Sequence, residues 1–121
     1  MVEVNCETDF VAKTEDFSEL VEKTLAFIAK EKPADVESLL KASYEGATFE
    51  DFFKARIAKT GENMAVRRFV VFELNDANEG LTSYIHLNGK IGVLVKAKVD
   101  NAEAAKSDAF NDLLKVIALQ I

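Results

Sequence analysis

The chain has 121 residues, of which 49% are hydrophobic and 30% charged, and this size and composition suit one folded domain. Because 15 Lys and Arg stand against 21 Asp and Glu, the net charge of −6 argues against a nucleic-acid partner. The one cysteine, Cys6, excludes an internal disulfide, and no run approaches the roughly 18 apolar residues of a membrane span. We therefore expect a single domain over residues 1–121 with no nucleic-acid or membrane partner.

The first elements in the chain are a short strand and an amphipathic helix. Val2 and Val4 alternate with polar residues, which predicts a strand that runs toward residues 6–11. Thr14 is a typical N-cap, and apolar residues then recur at helical spacing to about Lys30. The residues just before Thr14 are expected to form a loop.

The middle of the chain predicts two further helices and a central strand. Pro33 suits the first turn of a short helix. Thr48 and Asp51 approximate a capping box for a helix that Gly61 ends with a left-handed residue. Residues 64–74 are rich in β-branched and aromatic side chains, which predicts the central strand.

A hairpin follows in the sequence. Asn88 and Gly89 lie between the apolar runs 81–86 and 90–98, and Asn-Gly in this position is the strongest short-range hairpin signal. The order of elements indicates an α+β fold, with an antiparallel sheet of three or four strands packed against helices around one core. The residues on the apolar stripes that we expect to be buried are Phe17, Leu20, Val21, Phe52, Phe53, Val71, Val93, Phe110 and Leu114.

The last predicted helix runs to the end of the sequence. Asp100 or Asn101 caps it, and apolar residues follow the helical period as far as Ile121. An apolar helix at one end and a strand at the other predict a piece of a longer chain. We expect the face that carries Ile117 and Ile121 to be under-buried and to favour self-association.

Few residues are available for enzymatic or metal chemistry. Known catalytic motifs are missing, and the one histidine, His86, lies in a predicted strand, so we predict no catalytic residue, cofactor or metal ion. Cys6 is interpreted as a small buried hydrophobe. Arg67 and Arg68 would point to opposite faces of a strand, one toward the buried side, unless a bulge intervenes. We therefore predict that the protein is not an enzyme.

The segment Thr8-Asp9-Phe10-Val11 places an acid beside a large aromatic residue where the strand pattern ends. Phe10 could be a core residue next to a turn Asp. It could equally anchor a partner protein, with Asp9 bringing a negative charge to the contact. The residues by themselves leave both alternatives open.

Three blocks of the sequence resemble the translation elongation factor Ts family. They are VEVNCETDFVA at residues 2–12, GENMAVRRF at residues 61–69, and SYIH followed by GKIGVLV within residues 83–95. The resemblance implies the first α/β core subdomain of that family, without its N-terminal helical domain and second core subdomain. It also implies a nucleotide exchange factor for the GTPase elongation factor Tu, in the cytoplasm or in a mitochondrial matrix or plastid stroma.

The resemblance also implies roles for particular residues. Thr8, Asp9, Phe10 and Val11 match the family segment that is inserted near the magnesium and phosphate site of GDP-bound elongation factor Tu. Phe10 would wedge between helices of the GTPase, and Asp9 would help to disturb the groups that hold Mg²⁺ and the β-phosphate. Gln120 stands where the family often has a histidine that contacts the partner. The alternative is a non-catalytic binding module that docks on a GTPase or another partner without stimulating exchange.

Overall fold

The computed structural model describes all residues from Met1 to Ile121. The chain divides into two compact units, Met1–Val71 and Phe72–Ile121, and each is described by itself. Both contain helices and strands, which confirms the α+β class. The expected sheet of three or four strands is wrong, because the strands form three separate two-stranded antiparallel sheets. The assignment of residues 1–121 to one domain stays a prediction.

The first unit contains four helices and four strands. In chain order they are β1 (Val2–Asn5), α1 (Asp9–Ala12), α2 (Glu15–Glu31), α3 (Val36–Lys41), β2 (Ser43–Tyr44), β3 (Ala47–Thr48), α4 (Phe49–Thr60) and β4 (Ala65–Phe69). Strand β1 pairs with β4, and β2 pairs with β3 in a minimal hairpin that the sequence analysis missed. None of the helices is both long and apolar enough to cross a lipid bilayer.

The capping residues of α2 and α4 are those that the sequence predicts. Thr14 Oγ1 accepts a hydrogen bond from Phe17 N at 3.2 Å and begins α2. At the start of α4, Thr48 Oγ1 accepts from Asp51 N at 3.2 Å, and the Asp51 carboxylate accepts from Thr48 N at 3.4 Å. Gly61 ends α4 with φ of 75°, a left-handed conformation that glycine adopts without steric cost.

Helix α3 begins later than predicted. Pro33 lies before the helix, and Asp35 is the N-cap, with its Oδ1 accepting from Ser38 N at 2.8 Å. This hydrogen bond lowers the pKa of the Asp35 carboxyl group. The prediction of Pro33 in the first turn was wrong because an aspartate cap satisfies a free N–H group at the helix start, whereas proline only fits the backbone angle there.

A β-bulge separates the two adjacent arginines of β4. Glu3 pairs with Arg68 and Val4 pairs with Val66, so Arg67 is the extra residue between these pairs. Both guanidinium groups consequently stay exposed and contact the same carboxylate: Arg67 Nε lies 3.3 Å and Arg68 Nε 3.0 Å from oxygens of Glu3. The bulge keeps either arginine from being buried.

The predicted central strand is shorter than its apolar sequence indicates. Strand β4 ends at Phe69, opposite Val2, and one further exchange of backbone hydrogen bonds joins Met1 and Val70 at 2.8 and 2.9 Å. Residues 70–74 then leave the strand and are all exposed, including the apolar residues Val70, Val71, Phe72 and Leu74. The prediction of a strand to residue 74 was wrong: strand-forming side chains make a strand only where a neighbouring strand exchanges backbone hydrogen bonds with them, and residues 71–74 lie in no such ladder.

The core of the first unit is built around the aromatic residues of α4. Phe49 and Phe53 are buried, and the Phe27 ring meets the Phe49 ring edge-on at 5.0 Å. Five of the residues predicted to be buried lie in α2 and α4. Leu20 and Phe53 are buried as predicted, and the other three are half-buried: Phe17, Val21 and Phe52. Val71, also predicted to be buried, is exposed.

The second unit is a long hairpin with two helices. Its elements are β5 (Glu79–His86), a 3₁₀ turn (Leu87–Gly89), β6 (Ile91–Lys98), α5 (Ala102–Ala105) and α6 (Asp108–Gln120). Strands β5 and β6 pair over their full length, and Asn88 and Gly89 take positive φ values of 54° and 94° in the turn, which confirms the predicted hairpin. The single last helix that we predicted is two helices, because Ser107 caps α6 separately after Asn101 has capped α5.

The second unit has its own buried cluster, so the expectation of one core is wrong. The inner face of α6 packs on β5 and β6, and Val93, Phe110 and Leu114 are buried as predicted. Gly80 lets β5 approach the helix closely, since a Cβ there would lie 2.4 Å from Phe110 Cε2. On the outer face, Ile117 and Ile121 are 39% and 77% exposed, which confirms their under-burial, while self-association stays a prediction.

Candidate partner-binding site

The segment Thr8–Val11 lies in the first unit, between the end of β1 and the start of α2. Thr8 is the N-cap of α1: its backbone is extended, and its Oγ1 accepts from Val11 N at 3.3 Å. Thr14 caps α2 directly afterwards and also donates from its Oγ1 to Val11 O at 2.7 Å. The expected loop is therefore a single capped helical turn, joined to the longer helix by hydrogen bonds.

Helix α1 turns one apolar residue inward and one outward. Val11 is half-buried and packs against the core of the first unit, whereas Phe10 is 87% exposed. The next most exposed phenylalanine, Phe72, is 40% exposed. Phe10 is thus the most exposed phenylalanine of the chain, and the reading of Phe10 as a core residue is wrong. A large aromatic ring on an ordered, exposed turn is typical of an anchor for protein recognition.

Two glutamates tie this segment to the loop that follows α4. The Glu62 carboxylate accepts from Thr8 N at 3.0 Å and from Thr8 Oγ1 at 2.6 Å. In the opposite direction, the Glu7 carboxylate accepts from Asn63 N at 3.1 Å. We call Glu7 and Glu62, with these bonds, the carboxylate clamp. The sequence analysis missed this clamp, because its bonds join residues that are 54 or 56 positions apart in the chain, and such distant pairs leave no periodic signal in a single sequence.

Cys6 lies next to the clamp as a protonated thiol. Its Sγ donates to Thr8 O at 3.3 Å. Burial and then the negative charge of Glu62 raise the pKa of Cys6, with a smaller contribution of the same sign from Asp9. A thiol with a raised pKa is a poor nucleophile, so Cys6 contributes packing and one hydrogen bond to this site.

Two other residues singled out in the sequence, Gln120 and His86, belong to the second unit. Gln120 is exposed at the end of α6, in the second unit, and its role as a partner contact stays a prediction. His86 ends β5, with its Nδ1 2.8 Å from Tyr84 Oη. No group of three or more His, Cys, Asp or Glu side chains is placed to hold a metal ion.

The fold defines an α+β protein with an exposed aromatic turn, and comparison with known proteins gives its family. The elongation factor Ts family model matches residues 7–121. Elongation factor Ts of Nautilia profundicola is 45% identical over 121 residues, covering all of this chain and 38% of that relative. Elongation factor Ts of Nitratiruptor sp. is 44% identical, and the match covers all of this chain and 39% of that relative. Elongation factor Ts of Thiobacillus denitrificans is 49% identical, and the match covers 86% of this chain and 34% of that relative.

The chain belongs to the elongation factor Ts family of translation elongation factors. It spans about two fifths of the length of the curated relatives that it matches. The resemblance noted in the sequence is thereby confirmed over nearly all of the chain.

Proposed function

We propose that this chain takes part in guanine nucleotide exchange on elongation factor Tu, by docking on the GDP-bound GTPase and promoting release of GDP. The observation that carries the proposal is the Phe10 ring, 87% exposed on a helical turn that is capped and hydrogen-bonded at both ends. Relatives along the whole chain bear the name elongation factor Ts. The same proposal places the chain in the cytoplasm, or in an organelle that carries out translation.

The physics of nucleotide retention explains how such an element can act. A GTPase holds its nucleotide largely through backbone N–H groups around the phosphates and a Mg²⁺ ion that bridges phosphate oxygens. Phe10 would enter between helices of the GTPase and supply buried apolar area, while Asp9 would displace groups that coordinate Mg²⁺ and the β-phosphate. Thr8 and Val11 would hold these two residues in place. This role breaks no covalent bond, so the chain would act as an exchange factor rather than an enzyme.

Release of a fluorescent GDP analogue from elongation factor Tu tests the proposal. The labelled complex is mixed with excess unlabelled GDP and increasing concentrations of the chain, and the release rate is followed by stopped flow. A rate that rises and saturates with the concentration of the chain supports exchange. A chain that binds the GTPase, as measured by calorimetry, with no change in release rate would instead be the binding module.

A further inference from the structure

We propose that Glu62 is a positioning residue that holds the Thr8–Val11 turn in the shape that presents Phe10. For its effect on exchange, this inference rests on the proposed function. The ordering of the turn by Glu62 can be tested without elongation factor Tu.

The contact between Glu62 and Thr8 uses both polar groups that Thr8 can donate. One carboxylate oxygen receives the backbone N–H at 3.0 Å, and the other receives the hydroxyl at 2.6 Å, a short, charge-assisted hydrogen bond. Because the hydroxyl proton points to Glu62, an oxygen lone pair faces Val11 N, which donates to it at 3.3 Å. Glu62 therefore orients the cap that begins α1.

Glu62 is itself held by a rigid part of the first unit. It follows Gly61, which ends α4 in a left-handed conformation, and its backbone N donates to Thr60 Oγ1 at 3.4 Å. Helix α4 is fixed in the core by its buried residues Phe49 and Phe53. The next residue, Asn63, is bound by the other half of the clamp. Glu62 thus connects the exposed turn to the end of a helix that is anchored in the core.

The turn needs such a connection because it has little stability of its own. Helix α1 has four residues, far fewer than the roughly 12–15 that an isolated helix needs in water. None of its residues is fully buried, and Val11 alone packs against the core. An anchor that is ordered before binding loses less conformational entropy when the complex forms. The clamp would therefore increase the affinity for the GTPase more than the rate at which the complex releases GDP.

Three variants separate the role of Glu62 from a general effect of charge. Glu62→Ala removes both acceptors, whereas Glu62→Gln keeps an acceptor for Thr8 N and a partner for the hydroxyl. Glu22→Ala, at an exposed position of α2, is the matched control for loss of a carboxylate. Backbone ¹⁵N relaxation of residues 8–12 reports the order of the turn, circular dichroism reports folding, and the GDP-release titration reports function.

We expect lower order parameters at residues 8–12 in Glu62→Ala, and values like those of the unmodified chain in Glu62→Gln and Glu22→Ala. The concentration of chain that gives half-maximal release should rise about tenfold in Glu62→Ala and less than about threefold in Glu62→Gln, with the maximal rate nearly constant. If Glu62→Ala does not fold, Glu62→Gln is compared with a Glu22→Gln control: the half-maximal concentration should rise up to about threefold in Glu62→Gln and stay constant in Glu22→Gln, and equal values would overturn the inference.

Each other result has a distinct meaning. Unchanged order parameters in Glu62→Ala overturn the inference, whatever the exchange data show. A disordered turn with unchanged half-maximal concentration overturns the positioning role but leaves the proposed function intact. If the unmodified chain releases no nucleotide, the proposed function fails, and the order parameters still decide whether Glu62 organises the turn.

Discussion

Replacing Phe10 by alanine is the most direct test of the exposed anchor. The ring is 87% exposed, and an aromatic side chain that becomes buried removes about 150–250 Å² from water. At about 25 cal/mol per Å², complete burial of that exposed fraction would contribute about 3–5 kcal/mol. Since alanine retains its methyl group, we expect Phe10→Ala to weaken the complex with elongation factor Tu by about 2–4 kcal/mol, or one and a half to three decades in Kd.

The measurement is the Kd of each variant for GDP-bound elongation factor Tu by calorimetry, alongside the GDP-release titration. Because Phe10 contributes little to the core, Phe10→Ala should change the free energy of unfolding by less than about 0.5 kcal/mol. Phe72→Ala, at the other exposed phenylalanine, is the control and should bind like the unmodified chain. A Kd for Phe10→Ala within threefold of the control would refute the assignment of Phe10 as the anchor.

Three further predictions concern one site residue and two structural positions. Asp9→Ala should lower the maximal rate of GDP release with little change in the half-saturating concentration, and an unchanged maximal rate would contradict its role at the phosphate site. Gly80→Ala should destabilise the protein by about 1–3 kcal/mol in urea unfolding, because the added Cβ would lie 2.4 Å from Phe110 Cε2. The hydrogen bond from Ser38 N lowers the pKa of Asp35, so its stabilising effect is complete above the unfolded-state pKa of about 3.9 and is lost as the pH falls below it. Because the amide of Asp35→Asn does not titrate, the unmodified chain should lose stability relative to Asp35→Asn as the pH falls through this range, and a difference in unfolding free energy that stays constant would exclude this linkage.

Local signals in the sequence determined the elements whose ends depend on neighbouring residues. Thr14 predicted the start of α2, because an N-cap requires only a side-chain oxygen that accepts a hydrogen bond from the backbone N–H three residues later. The same holds for Thr48 with Asp51, and for the left-handed glycine at position 61. The Asn88-Gly89 hairpin was predicted for a similar reason, since its positive φ values are a property of the turn itself.

The segment that became the candidate site was also visible in the sequence, as an acid beside an aromatic residue. Bare composition left Phe10 either buried or exposed, because an apolar residue after a strand suits both. The exposure of Phe10 was decided by α1, which turns Val11 toward the core and leaves the ring in solvent.

Tertiary structure alone decided the features that depend on distant backbone partners. Residues 70–74 are rich in strand-forming side chains, yet they lie in no strand, because such side chains form a strand only where another strand exchanges backbone hydrogen bonds with them. The bulge at Arg67, which leaves both arginines on Glu3, arises from the register with β1. The bond from Thr8 to Glu62 spans 54 residues, and no local pattern encodes it, because the two side chains meet only after α4 has packed in the core.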